Sequence, residues 1–146
     1  MNRDKIYLDL YAQVGALIDP KADDIANMAN VAQLLANTLG HHWTGFYRVV
    51  KKELHLGPFA GPLACTRIAY GKGVCGKSWD TKHTQVVANV HKFEGHIACS
   101  PSTQSEIVVP CIRNGKVFAV LDIDSDALDT FDDLDARYLE DIVSLL

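Results

Sequence analysis

Apolar residues recur at helical spacing near both ends of the chain and at strand-like spacing between them. Ile6, Leu10, Val14 and Leu17 form one stripe over residues 4–18, and Ile25, Met28, Ala32, Leu35 and Leu39 form a second, each the pattern of a helix that buries one face. Asp19-Pro20 offers the second helix a cap and a first residue, and Gly40 offers it a left-handed stop. WTGFYRVV (43–50) and ELHLGPF (53–59), rich in aromatic and branched residues, read as a hairpin turning at Lys51-Lys52. Residues 60–104 lose long periodicity; within them GKGVCGKSW opens a short helix and TQVVANV is a strand. SEIVVPCIR and KVFAVLDIDS flank Asn114-Gly115, the strongest short-range hairpin signal. TFDDLDARYLEDIVSLL closes the chain as a helix, with Asp132 and Asp135 at the positive end of its dipole and Leu134, Tyr138, Ile142 and Leu145 as its stripe.

This order predicts an α+β fold: a central, mostly antiparallel sheet, N- and C-terminal helices packed on one face, and a loop-covered ligand pocket on the other. No repeat or linker interrupts it. The 146 residues are 48% hydrophobic and 22% charged, which suits one core, so residues 1–146 are expected to form a single domain. A net charge of −4 with scattered Lys and Arg speaks against nucleic acid as a partner. MNRDKIYLDLYAQVGALID carries acids and no uninterrupted apolar run, so neither a signal peptide nor membrane attachment is expected and the cytoplasm is the expected location.

In that compartment thiols stay reduced unless they turn over, so Cys65, Cys75, Cys99 and Cys111 point to redox chemistry or metal binding. Cys99 lies among turn formers, Ser100 to Thr103, which keep a segment near solvent, and is placed to react. Cys65 and Cys75 flank RIAYGKGV, whose glycines allow movement, so that either can meet Cys99. Cys111, mid-strand and of opposite parity to Glu106, reads as a small core residue. No CxxC pair is present, so a zinc site is not expected even with His96 three residues before Cys99, and a loop histidine is more often solvated.

In KVFAVLDID, Val117, Ala119, Leu121 and Ile123 alternate with Phe118, Val120, Asp122 and Asp124, which puts two carboxylates on one face at a strand end. The Asn114-Gly115 turn brings Glu106 alongside them. The acids either cap the loop into the last helix or form a cluster that must bind a cation or hold protons. On the first hairpin Trp43, Gly45, Tyr47 and Val49 share a face, with glycine leaving space between two rings, either as core or as an apolar ligand wall.

The segments ACTRIAYGKGVCG, HKFEGHIAC, SEIVVP and LDIDS occur in this order, and with them the chain resembles the free methionine-(R)-sulfoxide reductases, small GAF proteins, from about Trp43 through the last helix. The resemblance implies that Cys99 is the catalytic cysteine, Cys65 the principal resolving cysteine and Cys75 a third redox thiol. It also implies that Glu106, Asp122 and Asp124 bind and polarise the substrate inside an aromatic pocket of Trp43 and Tyr47. The implied substrate is free methionine-(R)-sulfoxide, and the implied partner is thioredoxin, acting on a cytosolic homodimer without cofactor or metal. Two departures stand out: Cys111 lies outside the family's redox set, and Ser100 occupies a position where the family more often has aspartate.

A sulfoxide sulfur is electrophilic but its oxygen leaves poorly, so the reaction needs a thiolate and a proton donor. Attack by Cys99 would leave a sulfenic acid for a second thiol to convert to a disulfide. Charged acids beside Cys99 would raise its pKa above the free value of ~8.5, a conflict that the sequence leaves open. Two other readings stand beside this one: a ligand-sensing GAF module without thiol chemistry, and a metal-binding regulator using Cys65, Cys75 and Cys99.

Overall fold

The structure, a computed structural model, describes residues 2–146. Its elements in chain order are helices α1 (Arg3–Leu17) and α2 (Asp24–Leu39), strands β1 (Trp43–Val50), β2 (Glu53–Ala60) and β3 (Arg67–Ala69), helix α3 (Gly73–Thr81), strand β4 (Gln85–Val87), strands β5 (Ser105–Arg113) and β6 (Lys116–Ser125), and helix α4 (Asp133–Val143). The strands form one sheet in the order β3-β2-β1-β6-β5-β4. Every neighbouring pair is antiparallel. No described helix is long and apolar enough to cross a membrane.

Both hairpins form where the sequence places them. At the second turn Asn114 and Gly115 take φ of 54° and 76°, the paired left-handed conformations of a tight hairpin turn. Gly40 ends α2 at φ 70°, again as expected. Three expectations shift. The second helix starts at Asp24, with Asp23 as its cap accepting from the Ala26 N–H at 2.9 Å. Asp19 instead closes a turn by accepting from the Lys21 N–H, and Asn27 ties that turn through the Asp19 N–H and carbonyl. The buried stripes rotate as well: Tyr7 and Val31 enter the core while Leu17 and Ile25 stay exposed, and Ala136, Leu139 and Val143 are buried where Leu134, Tyr138 and Leu145 are only partly so. Strand β3 was not foreseen, three residues being too few for a period to register.

One core lies between the sheet and α1, α2 and α4. From the strands it takes Phe46, Ile107, Val109, Cys111, Ala119, Leu121 and Ile123. Asp132 and Asp135 do more than face a dipole. They form a reciprocal capping box, and buried Asp135 also accepts from the Tyr7 hydroxyl at 2.6 Å and pairs with Arg3 at 2.8 Å, tying α4 to α1. The other face carries a second cluster, with Trp43, Tyr47, Val108 and Val120 from the sheet and Val74 and Cys75 from α3. The predicted parity of β6 breaks at one point. A register shift beside Cys111 and Ile112 sends Val117 to this second cluster and leaves Phe118 against the first, because a bulge reverses which side each later residue faces.

Candidate active site

The strand register assembles the acids. Glu106 of β5 lies directly opposite Asp124 of β6, Val108 lies opposite Asp122, and on the far side of β6 Trp43 and Gly45 of β1 pair with Asp124 and Asp122. Residues of one parity on adjacent antiparallel strands project to one face, so three carboxyls and an indole meet at one end of the sheet. Trp43 stacks between Tyr47 and Phe59, with ring centroids 5.9 and 5.3 Å away. The space expected beside Gly45 is filled: an added Cβ would collide with Phe59 and come within 2.7 Å of the Trp43 ring. Glycine is needed there so that the stack can close over the backbone. Phe59 belongs to this wall although its strand gave no sign of it, since the register shift between Gly45 and Tyr47 brings it across.

Helix α3 covers the acids and carries Cys75 inward. It packs close because Gly76 abuts the 69–71 turn, where a Cβ would approach the Gly71 carbonyl carbon to 2.9 Å. Cys75, Glu106 and Asp122 are all buried, and their donor atoms lie within 4.8 Å of one another. This is the described set that could hold a cation, although the sequence put a metal elsewhere if anywhere. The regulator reading grouped Cys65, Cys75 and Cys99, and the structure does not group them that way: Cys65 and Cys99 form a disulfide, with Cα atoms 5.4 Å apart. Cys75 and Cys111 are free thiols.

Cys99, the cavity-side half of the disulfide, lines a cavity of about 40 Å³ together with Trp43, Tyr47, Cys75, His96 and the three acids, room for roughly three waters. The Tyr47 hydroxyl donates to the Cys65 carbonyl at 2.9 Å and fixes the backbone of that half-cystine. On the opposite side the Cys99 N–H donates to the Ile97 carbonyl, and Ser100 Oγ lies 3.3 Å from His42 Nε2. His96 is not solvated as expected. Its side chain is 15% exposed and its Nε2 is 3.9 Å from Glu106 Oε1.

Burial sets the protonation. Glu106 is 6% and Asp122 5% exposed. Removal from water, followed by the neighbouring carboxyls, holds Glu106, Asp122 and Asp124 well above the ordinary carboxylate range. Burial, then the acids, likewise raises the Cys75 thiol. Oδ1 of both Asp122 and Asp124 is buried without a hydrogen-bond partner in the chain. A group in that state costs stability unless a ligand satisfies it. The cavity therefore offers acids shifted toward their protonated form and unpaired acceptors beside a partly exposed sulfur.

Residues 22–146 match the family model described as GAF domain, and the chain belongs to that family. Within it, the chain is 40% identical over 147 residues to the free methionine-R-sulfoxide reductase of Escherichia coli, covering 100% of this chain and 89% of that protein. GAF domain-containing protein A of Dictyostelium discoideum is 45% identical over 146 residues, 99% of this chain and 92% of its own length. The solved structure of the Neisseria meningitidis free methionine-R-sulfoxide reductase with its substrate superposes with a TM-score of 0.96 at 42% identity, covering 99% of this chain and 88% of that one. Similarity thus extends over the two opening helices, beyond the start near Trp43 seen in the sequence.

Proposed function

We propose that the protein reduces free methionine-(R)-sulfoxide to methionine, with Cys99 as nucleophile, Cys65 as resolving thiol and thioredoxin as reductant. The observation that carries the reading is the Cys65–Cys99 disulfide, whose Cys99 half lines a cavity shared with buried Glu106 and Asp122 and half-buried Asp124. Relatives named for this activity, covering nearly the whole chain, support it.

Glu106, Asp122 and Asp124 take the substrate ammonium, the two aspartates with their unpaired Oδ1 atoms, and supply the proton for the sulfoxide oxygen. Trp43 and Tyr47 enclose the methyl end. The conflict over the Cys99 thiolate is removed by burial, because an acid that keeps its proton sets no negative charge beside the sulfur. Attack converts the Cys99 thiolate to a sulfenic acid and releases methionine; Cys65 then displaces water and forms the disulfide. The disulfide corresponds to the state after turnover, so reduction must free Cys99 before the next substrate reacts. A concave site at the sheet end also favours a free amino acid over a residue in a polypeptide. Cys75, buried and held as a thiol, is the reserve redox group. The family resemblance further assigns a cytoplasmic homodimer.

Counting free thiols after mixing reduced protein with each diastereomer tests the reading. Loss of two thiols with the R form alone supports it. Retention of all four thiols with both forms would favour a sensory module.

A further inference from the structure

Among the described residues lining the cavity, His96 is the only histidine, the side chain whose ordinary pKa lies nearest neutrality. The His96 backbone N–H donates to the Phe93 carbonyl at 3.2 Å and the Cys99 backbone N–H donates to the Ile97 carbonyl at 3.0 Å. These two turns fold the loop so that His96 and Cys99, three residues apart, both line the space above the acids. The imidazole Nε2 lies 3.9 Å from Glu106 Oε1, a gap that a small side-chain rotation closes to hydrogen-bond reach. Glu106 itself has almost no exposure through which to exchange a proton.

We infer that His96 is the proton relay of this site, taking the proton that Cys99 must lose and returning it to Glu106. This rests on the reductase reading above. The step balances as follows. The Cys99 thiol gives its proton to neutral His96, and Glu106 gives its own to the sulfoxide oxygen. The Cys99 sulfur attacks, the hydroxyl passes to it, and methionine leaves with the electron pair of the broken sulfur–oxygen bond. Imidazolium then reprotonates Glu106. Cys99 is oxidised from thiol to sulfenic acid, the sulfoxide is reduced to thioether, and no net proton is consumed.

The titratable groups that share the cavity lining with His96 are Glu106 from β5, Asp122 and Asp124 from β6, Cys75 from α3 and Cys99 from its own loop, and His91 acts on it as a nearby charge. Burial, followed by the charge of His91, lowers the His96 pKa from 6.5, the direction that favours the neutral, proton-accepting form.

The test is single-turnover thiol oxidation by the R-sulfoxide from about pH 5.5 to about pH 9.5, with reduced wild-type protein and His96→Gln. The wild-type rate should fall at acidic pH as the imidazole fills. His96→Gln should run about 100-fold slower at pH 7, with the imidazole-controlled limb replaced by a decline that follows ionisation of the Cys99 thiol alone. Its deficit should shrink as pH rises toward ~8.5 and Cys99 ionises unaided. His96→Asn, with a different shape and the same inability to relay, should trace the same profile and guards against a misfolded first variant. A deficit constant across pH, as a structural role would give, or a rate equal to wild type overturns the relay. Wild-type protein that keeps its thiols overturns the reductase reading and the relay with it.

Discussion

Ile107, Val109, Leu121 and Ile123 face the helices from the same two strands whose Glu106, Asp122 and Asp124 face the cavity. Both sets are buried, yet burial does opposite things to them. On the helix side it removes aliphatic surface from water and stabilises the fold. On the cavity side it strips water from carboxyls, which costs stability and leaves them protonated at pH values where exposed acids are ionised. The cysteines divide the same way. Cys111 on the helix side is fully buried, its thiol pushed up to about 12 by desolvation, while Cys99 lies half-exposed at the cavity wall. One face holds the molecule together and the other is kept costly so that it can react.

The comparison breaks most sharply at the two cysteines. Cys99→Ser should abolish thiol-dependent sulfoxide reduction, whereas Cys111→Ala should leave the rate within about twofold of wild type, for it touches no reacting group; both are read from methionine release. Next in size is Asp122→Asn, which keeps the shape and should slow turnover about 100-fold through loss of an acid while leaving thermal stability equal or higher. Its neighbour on the opposite face gives the reverse: Leu121→Ala should lower unfolding free energy by about 2–5 kcal/mol, measured by denaturant titration.

The acids also sharpen the contrast through pH. Their pKa values are raised on folding, so the folded state binds protons that the unfolded state releases, and their stabilising contribution is lost as pH rises from about 4 toward the folded values. Stability of reduced wild-type protein relative to Asp122→Asn should therefore decline as pH rises across that window. Taking the difference between the two proteins cancels the opposite trend from His41 and His96, whose pKa values are lowered by burial. The smallest effect is expected at Tyr47→Phe. Losing the hydroxyl bond to the Cys65 carbonyl should slow disulfide formation about fivefold, the equivalent of roughly 1 kcal/mol, visible in the rate of thiol loss.

The sequence reveals periodicity more readily than contact between distant segments. The β5–β6 hairpin was legible because Asn114-Gly115 marks its turn and so brings Glu106 to the end of β6 that carries Asp122 and Asp124, but it takes the one-residue shift beside Cys111 and Ile112 to set Glu106 opposite Asp124 and not Ile123, on the face of the two aspartates. Alternation could not reveal the bulge that turns Val117 away from its expected face, nor the aromatic stack in which Phe59 fills the space beside Gly45. Asp19 and Asp23 are equally good caps by type, and only the ties from Asn27 decide between them. His96 was visible three residues before Cys99, but its burial against Glu106 depends on how a loop without period folds back on the sheet.

Mapping the bond formed in one turnover tests the central claim most directly. Fully reduced protein is given one equivalent of the R-sulfoxide, the remaining thiols are alkylated, and the peptides are weighed. A linked pair containing Cys65 and Cys99, with Cys75 and Cys111 alkylated, is the predicted result. Four alkylated cysteines after methionine has appeared, or a bond that omits Cys99, would contradict it.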